Sequence, residues 1–200
     1  MVVCSVLYRT EVRKEARFVP RFGGTLNGMF GKRSTKTALV AVDVQNGFVN
    51  EKTQHCLPKI RELVTSGDFD VVAASRFVNP EYSSFRSRLD WNEMGPDDTD
   101  GLALDKVVAE HADVVFDKTG YAMGSGTLVD ELRRRKVADV VVCGLETDAC
   151  VLAVAMLLFD IGFNVSVDLS ACATSAGPEI EAGAEAIITR SFGEQYVYRG

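Results

Sequence analysis

The chain alternates short apolar runs of strand length with segments of helical periodicity. The runs are Thr37–Val44, Asp70–Phe77, Asp113–Asp117, Val140–Gly144, Phe163–Leu169 and Tyr196–Tyr198. Helices are predicted at Thr53–Val64, Leu102–Glu110, Thr127–Lys136, Thr147–Gly162 and Pro178–Ile188. Strands that are apolar along almost their whole length are typical of a parallel sheet covered on both faces. The alternation therefore predicts an α/β fold, a three-layer α/β/α sandwich around a six-stranded parallel sheet.

The size and charge of the chain limit what it binds. At 200 residues and 46% hydrophobic composition, it is long enough for one substantial core and short for two domains. The net charge of −6 disfavours nucleic acid and anionic membrane as partners. No apolar run is long enough to span a bilayer. We therefore expect a single domain that acts on a small molecule.

Cysteine and histidine usage indicates the compartment and the chemistry. The five cysteines form no CxxC pair, and an odd count without a secretory signal favours reduced thiols in the cytoplasm. His55 and His111 are the two histidines, too few for a histidine-rich metal site. We therefore expect a cytoplasmic protein without a metal or other cofactor.

Residues 1–36 differ from the remainder in charge, with eight Lys or Arg against two Glu. We interpret them as a basic, flexible or loosely docked extension and place the domain at residues 37–200. Two alternatives stay open, a targeting segment and an upstream start codon with the domain beginning near Met29.

Three reactive residues lie at or just beyond strand ends: Asp43, Lys118 and Cys150. In a parallel α/β sheet, ligands bind at the carboxyl ends of the strands. Cys150 is predicted in the first turn of a helix, where the dipole favours a thiolate. A nearby carboxylate can take the thiol proton, and an ammonium favours both the thiolate and an oxyanion. Together the three residues predict an acyl-transfer site.

The residues around these positions resemble the isochorismatase-like cysteine hydrolases. The matching pieces are Asp43-Val44-Gln45-Asn46-Gly47-Phe48, Lys118-Thr119 with Tyr121 and Ser125, and Gly144-Leu145-Glu146-Thr147-Asp148-Ala149-Cys150-Val151. Their order and spacing extend over residues 37–198. The resemblance implies a catalytic triad in which Cys150 is the nucleophile, Asp43 the general base and Lys118 the group that stabilises the thiolate.

The resemblance also implies an oxyanion hole and the type of reaction. The Leu145–Glu146 peptide bond would be cis, and the backbone N–H groups of Glu146 and Cys150 would bind the oxyanion. Members of this family act on amide or carbamoyl C–N bonds through a thioester. They commonly form dimers or tetramers, so we expect a homo-oligomer.

The sequence also departs from relatives. Metal-dependent nicotinamidases carry an aspartate and histidines after the second strand, where this chain has Arg76-Phe77-Val78-Asn79-Pro80. This difference predicts no metal and disfavours nicotinamide as the substrate. Family members that cleave the vinyl ether of isochorismate typically lack the cysteine, so Cys150 disfavours that reaction.

Substrate contacts are predicted from residues that flank the motifs. Phe48, Phe77, Trp91 and Tyr121 are candidates to line the pocket, and core or interface packing is the alternative for them. Arg76 or Arg88 is a candidate to bind a substrate carboxylate, with a surface ion pair as the alternative. The loop from Asn79 to Gly101 is expected to determine specificity.

The sequence thus predicts an amidohydrolase for a small amide, ureide or carbamoyl compound, with Asp43, Lys118 and Cys150 as the catalytic residues. A non-catalytic binding or redox-sensing protein on the same fold, with Cys150 as the sensing thiol, is the alternative.

Overall fold

A computed structural model describes residues 35–122 and 126–200 of the chain. The predictions for the extension at 1–36 fall almost entirely outside these residues, as does Ser125 of the second motif. In the described ranges, none of the helices is both long and apolar enough to cross a membrane.

Six strands form one parallel sheet, which confirms the predicted fold class. The strands are β1 (Lys36–Val42), β2 (Val71–Phe77), β3 (Val114–Lys118), β4 (Val137–Leu145), β5 (Asn164–Ala173) and β6 (Val197–Tyr198). Their spatial order is β3-β2-β1-β4-β5-β6. The chain therefore reverses direction across the sheet between the neighbours β1 and β4, and such a switch point opens a crevice for ligands.

The helices connect the strands. They are α1 (Leu57–Thr65), α2 (Ser84–Leu89), α3 (Lys106–His111), α4 (Gly126–Arg134), α5 (Leu152–Asp160) and α6 (Pro178–Phe192). The short α2 lies inside the long loop that follows β2. Helix α1 begins later than expected because residues Gln54–Cys56 form a 3₁₀ turn, and Pro58 lies in the first turn of the α-helix, where its missing N–H costs nothing.

The core lies on both faces of the central strands. From Ala38 to Val42 every residue of β1 is fully buried, and residues 140–145 of β4 are buried as well. This burial explains the near-continuous apolar runs in the sequence. Two rigid strands at the switch point therefore support the residues that follow them.

Glycine at position 144 permits β4 to approach β1 closely. Its φ is +121°, a conformation that side-chain-bearing residues rarely adopt, and a Cβ there would lie 2.1 Å from the carbonyl oxygen of Val42. The ends of β1 and β4 are thus brought together directly below the site.

Candidate active site

Asp43 follows β1 directly and is completely buried. Its φ of 47° is in the left-handed region, which aspartate tolerates better than most residues. The Ser75 hydroxyl of β2 accepts the Asp43 N–H at 3.0 Å and donates to Asp43 Oδ1 at 2.6 Å. Oδ1 of Asp43 is thereby held by strand β2, and Oδ2 remains available to the other residues of the site.

Lys118 is the last residue of β3 and is also completely buried. Its Nζ lies 2.6 Å from Asp43 Oδ2 and 3.1 Å from Cys150 Sγ. The ammonium also donates to the carbonyl oxygen of Gly120 at 3.1 Å. The structure therefore brings together the three residues that the sequence placed at separate strand ends.

Cys150 lies in one turn of π-helix, Thr147–Val151, instead of the first turn of an α-helix. The Val151 N–H bonds to the Glu146 carbonyl at 3.1 Å, which is the i→i+5 pattern of that turn. Helix α5 begins only at Leu152. The predicted position of the thiol at a helix start is correct in outline, but the local geometry differs.

The buried site holds its charges as an ion pair beside a neutral thiol. Burial, followed by the charge of Asp43, raises the pKa of Cys150 to about 12, against the opposing effect of Lys118. Burial is the largest single effect on Lys118 and lowers its pKa, but the charges of Asp43 and Cys150 and the hydrogen bonds to both together outweigh it, so the pKa lies above the ordinary lysine value. A neutral thiol is favoured at rest because one buried cation already balances one buried anion.

The strand end next to the thiol contains an unusual peptide bond. The Leu145–Glu146 bond is cis, as the family resemblance implied. The Glu146 carboxylate accepts a hydrogen bond from the Ser175 N–H, and the Thr174 hydroxyl donates to Asp148 at 2.5 Å. The loop after β5 thus binds the acidic side chains on either side of Thr147, and Asp148 is engaged away from the thiol.

An aromatic cluster adjoins the Lys118 ammonium through one of its rings, Phe77. Its members are Phe48, Phe77, Phe85, Trp91 and Tyr121, and each has a ring centroid within 6.2 Å of at least one other. Trp91 stacks on Phe77 at 5.6 Å, and the Lys118 Nζ lies 5.1 Å from the Phe77 ring centroid. Four of the five were sequence candidates. Phe85 was missed, although it lies in the loop expected to determine specificity.

Arg76 does not join this cluster. Its guanidinium forms a two-point ion pair with Asp117 at 2.7 and 2.8 Å, and both side chains are about half exposed. Neighbouring residues on a strand point to opposite faces, so Arg76 points away from the face on which Phe77 contacts Lys118. The structure therefore supports the surface ion pair that the sequence left as the alternative. Arg88, the other candidate, is exposed on α2.

The residues after β2 do not fit a metal of the kind found in some relatives. Within 35–122 and 126–200 no three His, Cys, Asp or Glu residues are grouped so that they could hold a metal ion. Arg76, the residue before the last of β2, is already paired with Asp117. No step of the proposed chemistry is therefore assigned to a metal.

Comparison with known proteins gives one family and many solved structures. A sequence model described as the isochorismatase domain matches residues 37–194. The nicotinamidase/pyrazinamidase of Bacillus subtilis is 26% identical, with 82% of this chain and 100% of that chain covered and a TM-score of 0.67.

Two further structures are similar. The pyrazinamidase of Pyrococcus horikoshii, solved with zinc, is 25% identical over 82% of this chain and 97% of that chain, with a TM-score of 0.65. The N-carbamoylsarcosine amidase of Thermoplasma acidophilum is 23% identical over 82% and 96%, with a TM-score of 0.69, which shows a shared fold. No match is found among curated proteins. The match over residues 37–194, with the fold and the strand-end residues in place, shows that this chain belongs to the isochorismatase family of hydrolases.

Proposed function

We propose that the protein hydrolyses a C–N bond of a small amide, ureide or carbamoyl compound through a thioester on Cys150. The observation that carries the proposal is the position of the Lys118 ammonium, 2.6 Å from Asp43 Oδ2 and 3.1 Å from Cys150 Sγ. A base and a nucleophile that both contact one cation are the parts that amide cleavage by a thiol needs.

The first half of the reaction transfers the acyl group. The Cys150 thiol gives its proton to Asp43, and the sulfur attacks the substrate carbonyl carbon to form a tetrahedral oxyanion. The N–H groups of Glu146 and Cys150 bind that oxyanion in our proposal. The C–N bond then breaks, and ammonia or an amine leaves with the proton held by Asp43.

The second half regenerates the enzyme. Asp43, again a carboxylate, takes a proton from water while the oxygen attacks the thioester carbonyl. The C–S bond breaks, the acid product leaves, and the proton returns to the Cys150 sulfur. Lys118 keeps its positive charge throughout, so it stabilises whichever group is the anion. A neutral resting thiol is therefore compatible with catalysis, because the thiol gives its proton to Asp43 as the sulfur attacks an electrophilic carbon.

We infer that the substrate binds beside the aromatic cluster. The Phe77 ring lies beside the ammonium and the other four rings pack onward from it, which favours a flat or apolar group next to the scissile carbonyl. The related nicotinamidase and carbamoylsarcosine amidase structures support the choice of amide and carbamoyl compounds as the first substrates to test. The segment Arg76–Pro80 lacks the aspartate and histidines that metal-dependent nicotinamidases carry after the second strand, so nicotinamide itself stays disfavoured as the substrate. A homo-oligomer in the cytoplasm completes the proposal.

An assay of ammonia release from a panel of primary amides, ureides and carbamoyl compounds tests the function. We expect release by the wild type, its loss after iodoacetamide labels Cys150, and its absence in Cys150→Ser. Reversible oxidation of Cys150 without turnover of any compound would instead favour the redox-sensing alternative. The high pKa of the buried thiol disfavours that alternative, since sensor cysteines are accessible thiolates.

A further inference from the structure

Ser75 makes two hydrogen bonds with Asp43, and no sequence motif predicted them. Its side chain is completely buried in β2. The single hydroxyl accepts the Asp43 N–H at 3.0 Å and donates to Asp43 Oδ1 at 2.6 Å. A serine hydroxyl has one donor and two acceptor sites, so both contacts are made at once. The contact fixes the backbone and the carboxylate of the same residue.

This contact determines which carboxylate oxygen of Asp43 faces Lys118. Oδ1 is occupied by the Ser75 hydroxyl, and Oδ2 lies 2.6 Å from Lys118 Nζ. Cys150 Sγ lies 3.1 Å from the same Nζ, so Oδ2 is the carboxylate oxygen on the side of the thiol. Without the Ser75 hydroxyl the carboxylate is free to turn about its χ2 angle, and its N–H loses an acceptor in a fully buried place.

We propose that Ser75 is a positioning residue that aims Asp43 Oδ2 at the Cys150 thiol. The proposal rests on the proposed function, in which Asp43 takes the thiol proton. Ser75 does not touch the substrate; it acts through Asp43. Losing the hydroxyl therefore removes the contact that fixes the orientation of the base.

The test compares Ser75→Ala with a matched control, Thr37→Val. Thr37 lies on the adjacent strand β1, and its buried hydroxyl has no hydrogen-bond partner among the residues the structure describes. Both changes delete one buried hydroxyl from the sheet, but only the first touches Asp43. We expect Ser75→Ala to lower kcat by about 10- to 100-fold with KM changed less than threefold. Thr37→Val should keep both constants.

A second readout needs no substrate. The rate at which iodoacetamide alkylates Cys150, followed by peptide mass spectrometry across pH, reports proton transfer from the thiol to Asp43. In Ser75→Ala the alkylation rate should fall by about 10- to 100-fold at every pH, because the carboxylate is no longer held toward the thiol. Thr37→Val should leave the profile unchanged. The alkylation profile stays informative even if no amide is turned over, so failure of the proposed function is distinguishable from failure of this inference.

Unchanged kcat and an unchanged alkylation profile in folded Ser75→Ala would overturn the proposal. Equal effects of Ser75→Ala and Thr37→Val would also overturn it, because they would show a general loss of packing. If circular dichroism shows that the alanine variant does not fold, Ser75→Thr and Ser75→Val provide the same comparison, since they share a shape and differ in the hydroxyl. The threonine variant must then keep the wild-type profile and the valine variant must not.

Discussion

The Lys118 ammonium lies 2.6 Å from the Asp43 carboxylate, and neither side chain has any exposed surface. Removing two charges from water is costly, and the pair repays that cost only because each member faces the other. The Cys150 thiol lies 3.1 Å from the same ammonium. The pair is therefore both a structural element of the sheet edge and the electrostatic centre of the proposed reaction.

Replacing Lys118 tests both roles. Lys118→Met leaves the Asp43 carboxylate buried without its cation, and we expect a loss of about 3 to 5 kcal/mol in unfolding free energy together with loss of turnover. Urea unfolding followed by circular dichroism measures the first effect. Lys106→Met is the control, because Lys106 forms an exposed ion pair with Glu110 and should be nearly neutral. Equal stability of the two variants would contradict the account of the buried pair.

Gly144 is predicted to tolerate no side chain. In Gly144→Ala the new Cβ would meet the carbonyl oxygen of Val42 at 2.1 Å and its nitrogen at 2.6 Å, at a φ of +121°. We expect a loss of at least about 2 kcal/mol in unfolding free energy. Gly183→Ala is the matched control: Gly183 lies within α6 with nothing within 4 Å of an added Cβ, so alanine there should stabilise by about 0.5 to 1 kcal/mol. A neutral Gly144→Ala would show that β1 and β4 are not in close approach.

Asp105 is predicted to stabilise α3 in a pH-dependent way. Its carboxylate caps the helix by accepting the N–H groups of Val107 and Val108, and Arg61 binds it at 2.7 Å. We expect Asp105→Ala to cost about 1 to 2 kcal/mol at neutral pH. Asp105→Asn keeps a capping oxygen and loses the charge, so its cost should be smaller.

The sign of the pH dependence follows from the Asp105 pKa. Burial works to raise it, but Arg61 and the helix N–H groups outweigh burial and hold the pKa below its ordinary value of 3.8. The folded chain therefore binds this proton less readily than the unfolded chain, and the stabilisation is present above pH 3.8 and lost as the pH falls through the folded value. The difference in unfolding free energy between wild type and Asp105→Asn should shrink progressively as the pH falls below 3.8. A difference that stays constant would contradict this assignment.

The sequence predicted the strands and the three strand-end residues because apolar runs and their polar ends are local signals. Asp43 and Lys118 became candidates only jointly with Cys150, through the rule that parallel strands gather their carboxyl ends at one edge. Ser75 carried no such signal. Its role depends on the register that places β2 beside β1, and a serine in a strand is otherwise unremarkable in sequence.

Two differences between expectation and structure have similar causes. The partner of Arg76 is Asp117, which lies opposite it in the register of β2 and β3 and is not adjacent in sequence. The π turn at Thr147–Val151 differs from an α-helical turn by one hydrogen-bond spacing, which no periodicity in five residues reveals. The thiol pKa likewise depends on burial and on the two charges that the fold assembles around it.

Mass spectrometry of the protein quenched with acid during turnover tests the central claim most directly. With an amide or carbamoyl compound found active in the panel, we expect an acyl adduct on the peptide that contains Cys150, formed and lost at rates compatible with kcat. In Cys150→Ser the thioester and turnover should both be absent while the fold is kept. Ammonia release by Cys150→Ser at the wild-type rate, or turnover by protein fully alkylated at Cys150, would contradict the assignment of this residue as the nucleophile.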